Sequence, residues 1–393
     1  MDSAEREGLR PKGNVPNLRF PEFQGEWEKC KVSDLLDFYS TNSLSWDKLE
    51  YGTTNIQNLH YGLIHVGLPT MVDIDKDNLP NIIDGNVPKN YELCKEGDIV
   101  FADASEDTNE VAKAVEYYNL NGKKVVCGLH TIHGRDNKNK TVVGYKGYAF
   151  SSMSFHHQIR RIAQGTKIYS INSKNFSECY VGIPSKDEQQ KIAYLLRLID
   201  ERIAIQNKII DKLQSLIKGI AQKIVRNNMP NVRLTECLEC KSSTLQESEV
   251  CEQGTYPVYG ANGIVGYLDN YNTEGEAVYI IKDGSGVGTV SYVKGKCSAT
   301  GTLNALQAKE GYSLQYLYYL LKVFNFEPYK TGMAIPHIYF KDYGKAKVYC
   351  PSYTEQLQYA RLLSAIDNKL SIEQNILTKL SLQKQYLLRQ MFI

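Results

Sequence analysis

Two stretches of this sequence begin almost identically: IPSKDEQQKIAYLLRLIDERI at residues 183–203 and CPSYTEQLQYARLLSAIDNKL at residues 350–370. A constant offset of 167 residues aligns them, and 13 of 30 consecutive positions are identical without a gap. The same offset also holds upstream, where it pairs Gly165 with Gly332, Ile168 with Ile335 and Ile171 with Ile338, among others. One register kept over so many residues indicates an internal duplication, and a duplication decides the fold before any local feature does.

Each copy of the repeat carries the signals of a helix start. Ser185-x-x-Glu188 and Ser352-x-x-Glu355 are predicted capping boxes, in which the serine and the glutamate satisfy free amide groups reciprocally. A proline precedes each serine, and proline is tolerated at a helix boundary but not in a helix interior. Each predicted helix runs for about 40 residues, which is about 60 Å at 1.5 Å per residue.

Apolar residues in both helices recur in alternating steps of four and three, which is a heptad pattern. The predicted seam residues are Ile192, Leu196, Ile199, Ile203, Ile210 and Leu213 in the first helix, and Leu363, Ile366, Leu370, Leu377 and Leu380 in the second. Two matched seams in one chain favour an antiparallel coiled coil over two separate core helices. The polar seam position Gln206 and its repeat partner Glu373 would then help to fix the register.

The segments outside the two predicted helices have a different sequence pattern. Residues 17–183 and 230–350 hold short apolar–polar alternations broken by Gly, Asn and Asp, a pattern typical of strands and hairpins. The predicted fold class is therefore α+β, with two mixed α/β domains separated by long helices and related by a pseudo-twofold axis. The predicted domains are a flexible tail at 1–16, a first domain at 17–183, a helix at 184–229, a second domain at 230–350 and a helix at 351–393.

Composition limits the possible functions. A net charge of +2 does not indicate a polyanionic partner, so any basic surface must be local. No apolar run approaches the roughly 20 residues of a membrane-spanning helix. Nine scattered cysteines are expected to be reduced thiols in a cytoplasmic protein. Cys237, Cys240 and Cys251 lack a fourth ligand at zinc-site spacing, so no metal site is predicted.

Catalytic motifs are missing, and no catalytic residue is predicted. There is no Pro-Pro dipeptide, as amino-group DNA methyltransferases would need, and no phosphate-binding Gly-x4-Gly-Lys loop. The glycine cluster at 284–288 lies between two apolar strands, which predicts a hairpin turn. Asp103, Glu110 and Lys113 only loosely resemble a metal-dependent nuclease site. His130 and His133 lack a carboxylate at catalytic spacing in the sequence.

Two local basic segments occupy the same place in the repeat. Residues 151–181 and 318–350 each carry a net charge of +3, interleaved with Tyr, Phe and His. Such clusters neutralise DNA phosphates, although ordinary solvated surfaces have similar composition. The predicted DNA-binding residues are Arg160, Arg161, Lys167, Ser170, Asn172 and Lys174 in the first segment, and Lys330, Thr331, His337 and Lys341 in the second.

The chain resembles the specificity subunits of bacterial type I restriction–modification systems over residues 17–393. NVPNLRFPEFQGEWEKCKVSDLL (14–36) resembles the start of that family's first target-recognition domain, and YPVYGANGIVGYLDNYNTEGEAVYIIKDGSGVGTVSY (256–292) resembles a common second one. The two Pro-Ser-x-x-Glu-Gln helices resemble the family's conserved spacer regions.

This resemblance implies a non-catalytic subunit whose two domains each read half of a bipartite DNA target through the major groove. The helix pair would set the distance between the half-sites and dock methyltransferase subunits, two in number. Restriction subunits would add ATP-driven translocation and cleavage. S-adenosylmethionine, ATP and Mg²⁺ would be bound by those partners, so that only the assembled complex methylates adenine and cleaves DNA. A stand-alone metal-dependent nuclease and a coiled-coil protein adaptor are the alternatives.

Overall fold

The computed structural model describes residues 13–332 and 334–393, so the predicted tail falls outside the description as far as residue 12. Within the described part of the predicted tail, Asn14 is hydrogen-bonded to the domain, because its carbonyl accepts from the Trp27 amide at 2.8 Å. The chain forms two compact units, Met1–Ile205 with Leu377–Ile393, and Gln206–Ile376. Both units are α+β, as the sequence predicts. No helix in the described ranges is long and apolar enough to span a bilayer.

The first unit contains most of the short strands. They are β1 (Glu28–Lys31), β2 (Asp37–Tyr39), β3 (Leu49–Glu50), β4 (Gln57–Leu59), β5 (Met71–Asp73), β6 (Asn81–Ile82), β7 (Ile99–Ala102), β8 (Ala104–Ser105), β9 (Ala114–Asn119), β10 (Val125–Cys127), β11 (Thr131–Arg135), β12 (Tyr169–Ser170) and β13 (Tyr180–Ile183). Its helices are α1 (Val32–Leu35), α2 (Tyr61–His65), α3 (Tyr145–Phe150), α4 (Met153–Ile162) and α5 (Ser173–Ser177), followed by α6 (Lys186–Arg226).

Two sheets form the body of this unit. The five-stranded sheet has the order β2-β11-β7-β9-β5, and the four-stranded sheet has the order β10-β4-β6-β3. Strand β7 is buried throughout because both of its faces are covered. Its Phe101 packs edge-on against Phe150 and Phe176, with ring centroids 5.0 and 4.8 Å away. These aromatic contacts join the central sheet to α3 and α5.

The second unit is the smaller of the two. Its strands are β14 (Val232–Arg233), β15 (Leu238–Ser242), β16 (Tyr256–Gly260), β17 (Gly263–Leu268), β18 (Glu276–Ile281), β19 (Val290–Lys294), β20 (Ser298–Ala299), β21 (Leu303–Ala308) and β22 (Lys347–Val348). Its own helices are α7 (Leu234–Cys237), α8 (Leu314–Leu321) and α9 (Phe340–Tyr343), and α10 (Tyr353–Gln390) follows them. Both long helices are divided between the units, α6 after Ile205 and α10 before Leu377. The sheets have the orders β15-β21-β18-β19 and β17-β16-β20. The predicted hairpin around residues 284–288 is confirmed, since β18 and β19 pair antiparallel across it.

The same short ladder closes each domain in front of its long helix. Strand β1 pairs antiparallel with β13, and β14 pairs antiparallel with β22. The strand that enters each domain is thus hydrogen-bonded to the strand that leaves it. A domain whose ends lie together in this way can vary internally without disturbing the helix that follows.

The two long helices have the predicted length, 41 residues in α6 and 38 in α10. At α10 the capping box is complete, because the Glu355 carboxylate accepts from the Ser352 amide at 3.2 Å while the Ser352 hydroxyl accepts from the Glu355 amide at 3.4 Å. At α6 the prediction is half wrong. The Ser185 hydroxyl accepts from the Glu188 amide, but the buried Glu188 carboxylate binds the Arg19 guanidinium at 2.7 and 2.8 Å instead.

The predicted heptad seam is the covered side of both helices. All eleven predicted seam residues are buried or half-buried. In the first unit the Lys384 ammonium lies 2.6 Å from the Asp200 carboxylate. In the second unit the Gln206 amide donates to the carboxylate of Glu373 and, at 3.1 Å, to its backbone carbonyl. The two polar seam positions therefore contact each other.

Candidate DNA interface

A short loop with the same geometry lies in each unit, within the two basic segments. In the first loop the backbones of Gln164 and Ser170 exchange hydrogen bonds of 2.9 and 2.8 Å. In the second loop Thr331 and His337 exchange bonds of 2.9 and 2.8 Å. These pairs are related by the repeat offset of 167. We call residues 164–170 and the described residues of 331–337 the duplicated loops.

Glycine is required at the second position of each duplicated loop. Gly165 has a φ of 136° and Gly332 a φ of 89°, both in the region that favours glycine. A Cβ atom on Gly165 would lie 1.9 Å from the Ile168 carbonyl oxygen, and one on Gly332 would lie 2.3 Å from that of Ile335. The repeated Gly and Ile of the sequence therefore describe one tight backbone turn that is built twice.

Buried residues anchor both loops from behind. Ile171 is 7% exposed and Ile338 is 1% exposed, although each lies next to an exposed loop. The Ile171 amide donates to the Asp103 carbonyl, and the Ile338 amide donates to the Lys282 carbonyl. The loop position in each unit is thus set by core packing, so that its outward side chains are presented on a firm base.

A second turn from elsewhere in the chain braces each duplicated loop. Strand β12 of the first loop pairs with β8, which opens the turn that contains Glu110. In the second loop, the Pro336 carbonyl accepts from the amide of Gly284 at 3.0 Å. The acidic motif and the glycine cluster, which the sequence singled out for nuclease and nucleotide chemistry, are therefore the two bracing turns.

Two acidic residues at the first bracing turn, Glu110 and Asp103, lie beside basic side chains. The Glu110 carboxylate binds the Lys113 ammonium at 2.7 Å. Asp103 lies 3.3 Å from Nδ1 of His130, although the sequence shows no carboxylate near that histidine. Because Lys113 is bound by Glu110, it is not free to act as the lysine of a nuclease site. This arrangement gives no support to the nuclease alternative.

A cavity of about 570 Å³ opens between the first duplicated loop and its bracing turn. Its lining includes one cation, Lys113, and three acidic side chains, which are Glu106, Asp107 and Glu110. The apolar and aromatic residues of the lining include Tyr61, His65, His130 and Ile168. The carboxylates offer hydrogen-bond acceptors. Carboxylate and imidazole acceptors suit the exocyclic amino groups of DNA bases.

The structure places the predicted DNA-binding residues of the first segment on α4, on the loop and on α5. The Arg160 guanidinium is engaged by Asn109 at 2.9 Å and by His157 at 2.7 Å. Asn172 caps α5, because its side chain accepts from the Asn175 amide. The other four, which face solvent, are Arg161, Lys167, Ser170 and Lys174.

The second segment holds the other four predicted residues. Lys330 forms an ion pair with Glu327 at 2.6 Å. Thr331 and His337 close the duplicated loop through their backbones, and the Thr331 side chain is exposed. The Lys341 ammonium lies 5.1 Å from the ring centroid of Tyr339, which itself lies beside His337. Tyr339 and Lys341 are thus an exposed aromatic ring and an exposed cation in contact.

A second cavity, of about 840 Å³, lies in the second unit. Its lining is mainly polar and includes Ser243, Gln246, Asn270 and Tyr271. Side chains of these types form hydrogen bonds with base edges. A search for basic segments does not find these residues, because their side chains are neutral. In the sequence, the Asn- and Tyr-rich turn at 269–272 points to part of this cavity.

A buried charged network supports the central sheet of the first unit. Asp98 is 1% exposed and accepts from Nε2 of His133 at 2.7 Å and from the Arg135 guanidinium at 2.8 Å. Burial alone would raise the pKa of Asp98, but the hydrogen bonds from His133 and Arg135 outweigh it and lower that pKa. The network is structural, because all three side chains are buried.

Among the described residues, one cluster brings three possible metal ligands within 4.8 Å of one another: Cys94, Cys127 and His133. It has no fourth Cys, His or carboxylate ligand, whereas structural zinc sites have four. The two sulfurs lie 3.4 Å apart, and burial raises the pKa of the Cys127 thiol. These cysteines are core residues of the first unit.

Comparisons with known proteins agree with this architecture. A family model described as the type I restriction modification DNA specificity domain matches residues 25–215 and again 227–382. A type I specificity subunit of Mycoplasma genitalium is 28% identical over 269 residues, which are 62% of this chain and 69% of the relative. A type I restriction enzyme specificity subunit of Methanocaldococcus jannaschii is 23% identical over 406 residues, covering 92% and 91% of the two chains.

Solved structures show the same fold. The crystal structure of a type I restriction–modification S subunit from M. genitalium superposes with a TM-score of 0.65 at 20% identity, over 96% of this chain and 99% of the other. A chain from a structure of type I system assembly and conformational transition gives a TM-score of 0.53 at 14% identity, over 92% and 96%. The two matches to the family model cover most of this chain, which therefore belongs to the type I restriction–modification DNA specificity family.

Proposed function

We propose that each domain of this specificity subunit reads one half of a bipartite DNA sequence with its duplicated loop and the turn that braces it. The repetition of this loop geometry in both units carries the proposal. Both loops lie in segments of net positive charge, which suits a polyanionic partner. Two similar readers in one chain match a target made of two half-sites.

Within each domain, different side chains would position the DNA duplex and read its bases. Exposed cationic side chains such as Lys167, Lys174 and Lys341 would contact phosphates and fix the orientation of the duplex. The cavity beside the first loop would form hydrogen bonds with base edges. In the second unit the polar cavity, which is lined by residues other than the duplicated loop and its bracing turn, would add further hydrogen bonds to base edges.

We further propose that α6 and α10 form an antiparallel coiled coil that sets the gap between the half-sites, with the domains related by a pseudo-twofold axis. Asp200 contacts Lys384 in the first unit, and Gln206 contacts Glu373 in the second. As the residue number rises in α6, the number of its partner falls in α10. This order, together with the two buried seams, supports antiparallel pairing.

Methyltransferase subunits would dock on the outer faces of these helices. Ile205 and Ile372 occupy the same repeat position and are 57% and 53% exposed. An apolar residue left exposed at both equivalent positions supports two docking sites rather than one. Restriction subunits would join this assembly in the cytoplasm. The chain itself would catalyse nothing, and S-adenosylmethionine, ATP and Mg²⁺ would be bound by its partners.

The test is to change the predicted residues of each domain separately. One variant replaces Lys167, Ser170 and Lys174 with alanine, and another replaces Thr331, His337 and Lys341. The target is first selected from a pool of random duplexes with the unchanged protein, purified with its methyltransferase subunit. Band shifts should then show weaker binding by each variant, and repeated selection should show relaxed preference in one half-site only.

A matched control replaces Lys89 and Lys95, two exposed lysines of the first unit outside the loop. It should bind the selected duplex as the unchanged protein does. If both loop variants keep their affinity and both half-site preferences, the duplicated loops are not the readers.

A further inference from the structure

Four buried side chains in the core of the first unit form a cluster whose polar atoms are not all satisfied. They are Cys94, Cys127, His133 and Tyr117, and each is at most 6% exposed. The Nδ1 atom of His133 and the hydroxyl of Tyr117 have no hydrogen-bond partner among the described residues. A buried polar atom without a partner lowers stability, so two of them in one cluster need an explanation.

The two cysteines and the histidine are close enough together to bind one metal ion. Their ligand atoms all lie within 4.8 Å of one another, and the two sulfurs are 3.4 Å apart. Two thiolates bound to one tetrahedral zinc ion, with Zn–S bonds of about 2.3 Å, lie about 3.8 Å apart. A movement of about 0.4 Å would therefore bring both sulfurs into position on an ion.

The histidine of the cluster is oriented as a metal ligand is. Its Nε2 atom is bound by the Asp98 carboxylate at 2.7 Å, and that carboxylate is also bound by the Arg135 guanidinium at 2.8 Å. In a neutral imidazole, a proton on Nε2 leaves the lone pair on Nδ1, which is the nitrogen without a partner. Metal-binding histidines almost always donate their other ring N–H to a carboxylate, a carbonyl or water, which fixes the ring and strengthens the ligand.

Tyr117 brings an oxygen next to the sulfurs. Burial raises the pKa of Tyr117, and the neighbouring thiols of Cys94 and Cys127 raise it further. Two cysteines and one histidine leave one position of a tetrahedral ion to be filled, and zinc accepts sulfur, nitrogen and oxygen ligands. The Tyr117 oxygen is suited to that position, because it is buried beside the thiols and has no other partner among the residues described.

The chemistry of the cluster selects the metal. Thiolates favour zinc over Mg²⁺ and Ca²⁺, which prefer ligand sets made of oxygen atoms. Binding converts the two thiols to thiolates and releases two protons. The two negative charges balance the charge of Zn²⁺, so the ion adds no net charge to the core. A buried site has to meet this condition, since an uncompensated charge in the core is strongly unfavourable.

The cluster connects the two sheets of the first unit. Cys127 ends β10 of the four-stranded sheet, and the Cys94 amide donates to the Val125 carbonyl of that strand at 2.8 Å. Tyr117 lies on β9 and His133 on β11, both in the five-stranded sheet. An ion bound by all four side chains would therefore join one sheet to the other.

We propose that Cys94, Cys127 and His133 bind one zinc ion, which stabilises the first domain by joining its two sheets. The Tyr117 oxygen takes the fourth position on the ion. In the described part of the chain this is the one cluster of its kind, so the expected content is one zinc ion per chain. The proposal does not depend on how the domains read DNA.

Metal analysis of the full chain tests the site. The chain is purified with its methyltransferase subunit, without a metal-affinity tag, and its zinc is measured by plasma mass spectrometry. One zinc ion per chain should be found, and Cys94→Ser and Cys127→Ser should each lose it. Cys179→Ser is the matched control, because Cys179 is a buried cysteine of the same unit outside the cluster, and it should keep the ion.

Two further measurements identify the ligands and the role of the ion. After removal of zinc with a chelator, Co²⁺ should give thiolate charge-transfer absorption in the unchanged protein and in Cys179→Ser, but not in Cys94→Ser. The chelator should also lower the urea midpoint of the unchanged protein, because an ion that binds only the folded state stabilises it. The midpoint of Cys94→Ser should not respond to the chelator.

Tyr117→Phe distinguishes a metal ligand from an unsatisfied core residue. If the Tyr117 oxygen binds zinc, this variant should lose the ion at a lower chelator concentration than the unchanged protein. If it does not, the substitution only removes a buried hydroxyl without a partner, and the urea midpoint should stay the same or rise. That second result would overturn the assignment of Tyr117.

Two other results would overturn the site as a whole. The first is an unchanged protein that contains no zinc and shows no thiolate absorption with Co²⁺. The second is zinc that remains in both Cys94→Ser and Cys127→Ser, since the ion would then be bound elsewhere in the complex.

Discussion

Gln189 and Gln356 show how one repeated residue connects a long helix to its domain. Both are buried, at 0% and 1% exposure. Each amide nitrogen donates to the carbonyl of the proline five residues earlier, at 2.9 Å. Each amide oxygen accepts from a backbone amide of the domain, that of Val142 in the first unit and that of Ser313 in the second, both at 2.9 Å. The glutamine therefore holds the helix start at a fixed angle to the domain.

Replacement of Gln356 with alanine should lower the free energy of unfolding by about 1–3 kcal/mol, because it leaves the buried Ser313 amide and Pro351 carbonyl without partners. Urea unfolding followed by circular dichroism measures this change. Gln190→Ala is the control, since Gln190 is exposed on α6. Equal unfolding midpoints for Gln356→Ala and Gln190→Ala would contradict the proposed role.

The Asp98 carboxylate gives a pH prediction at the same scale. Its pKa in the folded protein is lowered below the value of about 3.9 in unfolded chains. The stability that it contributes is therefore complete above about pH 4 and is lost as pH falls through the folded pKa.

Urea midpoints measured from pH 5 to pH 2.5 should show this loss in the unchanged protein and a shallower dependence in Asp98→Asn. Asp211→Asn, at an exposed position on α6, should keep the full dependence. A parallel pH dependence for Asp98→Asn and the unchanged protein would show that Asp98 is not the group responsible.

At the scale of elements, the long helices carry two kinds of apolar residue. The heptad seam is covered and includes one polar contact, between Gln206 and Glu373. A polar pair among apolar seam residues lowers stability but favours one register. Ile205 and Ile372 lie off the seam and are exposed. This second, exposed set is the surface proposed to hold methyltransferase subunits.

Ile205→Glu and Ile372→Glu should each remove one methyltransferase subunit, since a buried unpaired carboxylate at an interface is strongly unfavourable. The double variant should remove both. Mass measurement of the co-purified complex by light scattering counts the subunits. Ile264→Glu, at a 53% exposed position in the second domain, should keep both. Retention of two subunits by the double variant would place the docking surface elsewhere.

At the scale of the molecule, the chain repeats one plan. Each domain is closed by a ladder between its first and last strands and is followed by a long helix. The helix sequence is well preserved between the copies, whereas the domains have different sheets. This plan agrees with the proposal that the domains read DNA while the helices set the spacing and hold the partner subunits.

Insertion of one heptad into each helix, after Asn207 and after Gln374, should lengthen the tolerated gap by about three base pairs. Seven residues add about 10 Å of helix, and DNA rises 3.4 Å per base pair. Both half-site sequences should remain the same, because the domains are untouched. Methylome sequencing of cells that express this variant reports the gap directly. An unchanged gap would exclude the spacer role of the helices.

The sequence alone determined the duplication, the α+β class, the two long helices and their seams. The duplication follows from comparing two parts of the sequence. The helices and their seams follow from residues close together in the chain, such as a proline at a helix boundary or a heptad of apolar residues. The Ser185 capping box was half wrong because a distant residue, Arg19, binds its glutamate more favourably through two charge-assisted hydrogen bonds. Local patterns predict local geometry until a long-range contact of higher energy competes with them.

Only the tertiary structure decided what surrounds the candidate site. Asp98 and His133 are 35 residues apart in the sequence and meet because β11 and β7 pair in one particular register. The turns that brace the duplicated loops come from distant segments for the same reason. Sheet pairing is set by the burial of whole faces across the domain. Apart from hairpins such as the one around residues 284–288, no short stretch of sequence specifies which strands become neighbours, so those contacts emerge only when the chain is folded.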